Sequence, residues 1–279
     1  MQTKNDVLKS LFIAISQNCV TIPKDRGNRE AHMSEYAPTG VYSNTEIIEA
    51  LESGHIVQYP SAPELINGSS VDVRLGYNFY VTDQSTQREG LYNPFDEEDV
   101  KRYFGESLVA MPLREHDSVR KKLSLQSLKG IDPDHPIIIL RPGERILGHT
   151  HEFIGIKAPG TTSMQAKSST GRNGITVCKD AGWGDPGYIN RWTMEIQNEN
   201  EDEYVPLPVG IPIAQLVFFH TGIVGGDYTT LSGNYQTSTN LEELVGSWSP
   251  DQMLPKTFRR PVEADRFPID VEGLPEGIK

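Results

Sequence analysis

The stretch Gln165-Ala-Lys-Ser-Ser-Thr-Gly-Arg-Asn-Gly-Ile-Thr-Val-Cys-Lys-Asp-Ala-Gly-Trp-Gly-Asp-Pro-Gly-Tyr-Ile-Asn-Arg-Trp-Thr-Met-Glu-Ile-Gln-Asn198 sets hydroxyls, a guanidinium, carboxylates and a Gly/Pro turn between short runs of β type. At its end Trp192, Met194 and Ile196 alternate with Thr193, Glu195 and Gln197. That period of two predicts a strand with one apolar and one polar face. Glu195 then stands on a rigid element, where a carboxylate can be held closely enough for general acid–base work. A lone strand glutamate is an ordinary solvated residue; the polar cluster around this one marks a candidate site. Asp185-Pro186-Gly187-Tyr188 predicts a tight turn, with proline pre-setting φ and glycine accepting a positive one.

Outward from this segment, short strands recur between Gly/Pro punctuation at 137–140, 145–147, 153–156, 175–178, 192–197 and 211–219. The last is apolar on both faces, which predicts cover on both sides, one of them from a subunit interface. Upstream, Val71, Val73 and Leu75 alternate with Asp72 and Arg74, a half-buried strand, and a further short strand spans 55–59. Ser43 and Glu46 form a capping box that opens a helix with Ile47, Ile48 and Leu51 on one face and Gly54 as its stop. A second helix is expected at 96–104, begun by acidic residues that suit a helix N-terminus. The pattern is all-β, a sandwich or distorted β jelly roll with short flanking helices. The expected organisation is an N-terminal extension at 1–40, a core at 41–222 carrying a polar insertion at 83–133, and an arm and tail at 223–279 in which no regular period persists.

With 279 residues and 37% hydrophobic content, the chain can bury a full core. Its formal charge of −12 and the lack of a segregated basic stripe argue against nucleic acid as a partner. The apolar run at 7–15 is too short for a membrane span and lacks a cleavage pattern, so a soluble, cytoplasmic protein is expected, with no membrane partner. Cys19 and Cys178 offer no multi-bridge framework, in keeping with a reducing compartment.

The motifs Ser168-Ser169-x-x-Arg172, Asp180-Ala181-Gly182-x-x-Asp185-Pro186-Gly187-Tyr188, Met194-Glu195-x-x-Asn198 and Leu147-Gly148-x-Thr150-x-Glu152 stand in one order along the chain. This set closely resembles the dCTP deaminase branch of the dUTPase-like superfamily, over residues 41 to 238. The resemblance implies a dUTPase-like jelly roll assembling as a homotrimer with sites at subunit interfaces. It also implies hydrolytic, zinc-independent deamination of a cytosine deoxynucleotide, dCTP to dUTP and ammonia. Glu195 is then the base that takes a proton from water and returns it to the leaving ammonia. Arg172 orients it or stabilises developing charge, and Ser168 with the Ala181 carbonyl holds the water. Asp185 receives the 3′-hydroxyl, Tyr188 packs on the deoxyribose, and Lys167 and Ser169 meet phosphates. Asp180 replaces the family's threonine beside the base pocket. Tyr235 and Gln236 belong to a terminal motif, Gly233-Asn-Tyr-Gln-Thr-Ser238, that serves base and phosphates. Asn234 stands there in place of a lysine, which removes a charge. Mg²⁺ is the implied cofactor, carried by the substrate's phosphates; dUTP and dTTP are further candidate ligands.

Other readings stay open from sequence: a bifunctional dCTP deaminase/dUTPase, a plain dUTPase, and a non-catalytic nucleotide-binding regulator of the same fold. Zinc-type deamination lacks its His-x-Glu and Pro-Cys-x-x-Cys motifs. His149 and His151 share a strand face as a cupin metal pair would, but the carboxylate that should follow them is missing.

Overall fold

The computed structural model describes residues 40–82, 90–226, 228, 230, 233–236 and 238–259. The apolar run at 7–15, Cys19 and the chain beyond 259 lie outside them. The first half forms helix α1 (Asn44–Glu52), strands β1 (Ile56–Tyr59), β2 (Val71–Arg74) and β3 (Asn78–Val81), helix α2 (Glu97–Phe104), strands β4 (Leu108–Val109) and β5 (Met111–Pro112), and helix α3 (Asp117–Leu123). Strands β6 (Pro136–Leu140), β7 (Arg145–Ile156) and β8 (Thr161–Ala166) follow, then helix α4 (Ser168–Arg172). Strands β9 (Ile175–Thr176), β10 (Trp183–Gly184), β11 (Ile189–Asn198), β12 (Val205–Pro208) and β13 (Pro212–Phe219) precede helix α5 (Leu241–Ser247).

The strands make a distorted jelly roll of antiparallel sheets. One runs β4-β3-β7-β11-β9 with β1 also on β7, a second β10-β8-β13-β2, and a third β12-β6-β5. Between the first two lies the main core, with Ile154, Ile156, Met194 and Ile196 facing Val71, Val73, Leu216 and Phe218. The strands expected at 145–147 and 153–156 are one, β7, twelve residues long. Between them lies the polar run Gly148-His-Thr-His-Glu152, where the pairing is irregular: Arg191 pairs with Phe153 but Thr193 with His149, so three β7 residues oppose the single Trp192. Thr150 holds the bulge, its Oγ1 accepting from the Trp192 N–H (2.8 Å) and donating to the Glu152 carbonyl (2.7 Å).

Helix α1 begins as expected, with both halves of the Ser43/Glu46 capping box formed. Its buried face is Ile47 and Ala50, while Ile48 is exposed, so the predicted stripe is rotated. On β2 the polar positions are also not solvent-facing: Asp72 is buried and pairs with Lys167, and Arg74 pairs with Glu152. Strand β13 buries Ile213, Ala214, Leu216 and Phe218, while Val217 and Phe219 on its other face stay half-buried.

Glu152 is wholly inaccessible and accepts from both the side chain and the backbone N–H of Arg74. Removing the guanidinium leaves a buried carboxylate without its counter-charge. Arg74→Met should therefore lower stability by about 3 kcal/mol or more in chemical denaturation, and a loss under about 1 kcal/mol would show that the pair is dispensable.

Candidate active site

Three strands place the acid. Tyr80 on β3 pairs with Leu147 on β7, which pairs with Glu195 on β11, so the three side chains form a row across one face of the sheet. One step along, Arg145 pairs with Gln197 on the same face. Along β11 the residues Trp192, Met194 and Ile196 are buried and Thr193, Glu195 and Gln197 half-buried, the predicted alternation.

Above this face is a cavity of about 520 Å³, within the usual range for a small-ligand site. Its floor includes Arg145, Leu147, Thr193 and Glu195; Ala181, Asp185 and Tyr188 form one wall; Tyr228 and Tyr235 close another. The roof comes from segments without a legible role in the sequence. Tyr92 and Phe104 of the insertion meet Met253 and Pro255 of the tail. Phe104, Val100 and Met253 bury themselves on Tyr80 and Leu147 as a second core. Tyr92 stacks on Tyr103 with centroids 4.2 Å apart, and the Tyr80 hydroxyl donates to Asp251 (2.7 Å). The one sequence signal for this roof was the i, i+4 spacing of Val100 and Phe104 on an otherwise polar helix.

Burial holds the Glu195 carboxyl above its ordinary pKa, against a smaller opposing pull from its own backbone N–H and from Arg145. Its Oε2 is buried without a hydrogen-bond partner, leaving that oxygen to engage whatever enters the cavity. A carboxyl tuned upward on a rigid strand suits proton transfer near neutral pH.

The wall is a strained turn sequence. Cys178 (φ 63°) and Lys179 (φ 39°) both adopt left-handed backbone, unusual for side chains with a Cβ, and the Ala181 N–H closes the turn on the Cys178 carbonyl at 2.7 Å. Gly182 has no room for a side chain, since a Cβ would lie 2.3 Å from the Met164 carbonyl oxygen. In the next turn Pro186 precedes Gly187 (φ 88°), and the Tyr188 N–H donates to the Asp185 carbonyl (3.0 Å), the geometry expected for Pro-Gly at the centre of a turn. Tyr188 packs edge-on to Trp192 (5.0 Å) and against Tyr228 (4.8 Å). Gln236 is buried and spends its amide on backbone: Oε1 accepts from the Ile189 N–H (2.6 Å) and Nε2 donates to the Gly187 carbonyl (3.0 Å). It clamps the arm to the turn, which is a structural use of a residue expected at the ligand. Tyr235 does line the cavity.

The remaining candidates lie elsewhere. Ser168, Ser169 and Arg172 sit on α4, exposed, and none lines the cavity; Lys167 at its N-cap pairs with Asp72. Asp180 is exposed on a neighbouring groove with Gln165, Gly171 and Lys179, and Trp183, 62% exposed, borders both spaces. His149 has no lone pair to offer a metal: Nδ1 donates to the Thr150 carbonyl (2.8 Å) and Nε2 accepts the Asn78 N–H (3.2 Å). Burial pushes its pKa down to about 4.

The chain is similar to proteins already known. The family model described as dCTP deaminase-like matches residues 41–221. A "dCTP deaminase, dUMP-forming" of Nanoarchaeum equitans is 30% identical over 195 residues, covering 69% of this chain and 90% of that protein. Its counterpart in Methanopyrus kandleri is 32% identical over 205 residues, 70% of this chain and 90% of that one. The solved 2′-deoxycytidine 5′-triphosphate deaminase from Agrobacterium tumefaciens superposes with a TM-score of 0.46 at 16% identity, covering 66% of this chain and 50% of its own.

The raised Glu195 carboxyl has a consequence for stability. The native state holds this proton to higher pH than the unfolded chain, whose carboxyl titrates near about 4.3. Stability is therefore lost as pH rises from the unfolded value through the folded one. Glu195→Gln should melt at higher temperature than the parent at neutral pH and at the same temperature below about pH 4. Equal melting curves across this range would show that the carboxyl is not strained by burial.

Proposed function

Since the chain belongs to the dCTP deaminase-like family, we propose that it hydrolyses dCTP at C4 and carries the product on to dUMP, releasing ammonia and pyrophosphate. The observation that carries the reading is Glu195, its carboxyl raised by burial, in one cavity with Ala181, Asp185 and Tyr188. The dUTP product expected from the motifs gives way to dUMP, because the Nanoarchaeum equitans and Methanopyrus kandleri relatives are named dUMP-forming.

In the first step Glu195 takes a proton from water beside the Ala181 carbonyl, and hydroxide adds to C4. Glu195 then returns the proton to the amino nitrogen, the C4–N bond breaks and ammonia leaves, and the C4 hydroxyl proton passes to N3 to give the uracil ring. Such a positioned acid–base group contributes about 10²–10⁴ in rate. Tyr188 packs against deoxyribose and Asp185 receives its 3′-hydroxyl. In the second step Asp185 activates a water against the α-phosphorus, and the bond to the bridging oxygen breaks to release pyrophosphate. Mg²⁺ would arrive on the phosphates and supply charge neutralisation. The only carboxylates among the cavity's described lining residues are Asp185 and Glu195, which fits an ion held by phosphates and waters rather than a protein cage.

The absence of Ser168 and Arg172 from the cavity supports a shared site in a homotrimer, in which the exposed α4 of one subunit completes the cavity of the next. The half-buried Val217 and Phe219 supply apolar surface for such contact. A soluble nucleotide pool as substrate source fits a cytoplasmic enzyme; among the described residues no helix is long and apolar enough to cross a membrane.

Incubation with dCTP and Mg²⁺ should yield dUMP, ammonia and pyrophosphate in equal amounts. Glu195→Gln should bind dCTP yet turn over at least about 10²-fold more slowly, and Asp185→Asn should let dUTP accumulate. Unchanged turnover in Glu195→Gln would remove the mechanism, and hydrolysis of dUTP without attack on dCTP would leave a dUTPase. Arg172→Gln should be inactive alone, but dissociation and remixing with Glu195→Gln should restore about a quarter of parental activity if sites span subunits. No recovery on verified mixed assembly would place the whole site in one chain.

A further inference from the structure

The tail carries two cations back to the arm. Lys256 Nζ donates to the Asn234 carbonyl (3.2 Å) and stands 5.0 Å from the centroid of the Tyr235 ring, while Arg259 Nη1 donates to the same carbonyl (3.3 Å). The backbone fixes the approach, since the Lys256 N–H donates to the Tyr235 hydroxyl (3.3 Å). Neither cation forms an ion pair with a carboxylate among the described residues. Glu97, Glu106 and Asp251 line the same neighbouring cavity of about 550 Å³ and still do not pair with them. In a chain of net charge −12, two cations thus converge on one neutral oxygen. Burial, and then the nearby Arg259, lower the Lys256 pKa.

Position indicates what would supply a counter-charge. Tyr235, under the Lys256 ammonium, and Pro255, its chain neighbour, both line the cavity that holds Glu195. Pro255 lines the neighbouring cavity as well, together with Lys256 and Arg259, so the two cations stand next to the space over Glu195. We propose that Lys256 and Arg259 are a phosphate-binding pair that grips the distal phosphates of the nucleotide. They thereby provide, from the tail, the charge that Asn234 cannot. An ammonium and a guanidinium side by side suit a polyphosphate, one as a compact charge and the other as a planar fork. The identity of the anion rests on the nucleotide reading given above; the cation pair itself does not.

Calorimetric titration of the full chain with dCTP, deoxycytidine and inorganic tripolyphosphate tests this, on the parent, Lys256→Gln, Arg259→Gln and Lys256→Arg, each checked for an unchanged melting curve. Loss of one charge-assisted contact should weaken dCTP and tripolyphosphate by about ten- to a hundredfold, leave deoxycytidine unchanged and flatten the salt dependence. Lys256→Arg should retain binding. If the parent binds dCTP and both Gln variants bind it equally well, the pair is overturned while the nucleotide reading stands. If tripolyphosphate binding depends on the pair but no cytosine compound binds, the anion site stands and the nucleotide reading falls. Equal weakening of dCTP and deoxycytidine would overturn the pair as well, because the residues would then only brace Tyr235. So would failure of the parent to bind either phosphate compound.

Discussion

The pairing of β7 with β11, with its bulge pinned by Thr150, is the constraint on which the site depends. Because side chains alternate along a strand, a slip of one residue would turn Glu195 into the core and Met194 toward the cavity. Thr150 prevents that slip by bonding Trp192 across the strands and Glu152 along its own, both within fully buried surroundings. The same bulge leaves Glu152 on the inner side, where Arg74 neutralises it, and His149 on the outer side, where backbone groups use both ring nitrogens.

On that register is built a second, smaller core that faces the site rather than the sandwich interior. Residues of the insertion and of the tail meet there, where Phe104, Val100 and Met253 share the apolar surface offered by Tyr80 and Leu147. Excluding water there does two things. It encloses the space over Glu195, and it raises the carboxyl's proton affinity, since the charged form is the one penalised by burial. The wall opposite is stiffened differently, by consecutive left-handed residues at Cys178 and Lys179 and by the Gln236 clamp.

Charge is the scarce resource in this acidic chain. Arg145 stands at the cavity floor, Lys167 is committed to Asp72, and Arg172 is exposed on α4 away from the cavity. Lys256 and Arg259 gather on the Asn234 carbonyl beside Tyr235.

Much of this was legible in the sequence, because it rests on local rules. Strand period set the faces of β11, Pro-Gly set the turn at 185–188, and the Ser43/Glu46 box set the start of α1. The motif order identified the family. Local pattern did not join 145–147 and 153–156 into one strand, because the polar run Gly148-His-Thr-His-Glu152 between them lacks the apolar residues that mark a buried strand, although the alternation of faces continues through it. Nor could it show that Tyr92, Phe104 and Met253, residues far apart in sequence, meet over Glu195. It was equally silent on Gln236 closing on backbone, on Asp72 capturing Lys167, and on Lys256 reaching Asn234. Such contacts are decided only when the chain is folded, since each depends on which surfaces remain uncovered and which charges remain unpaired after the sheets have formed.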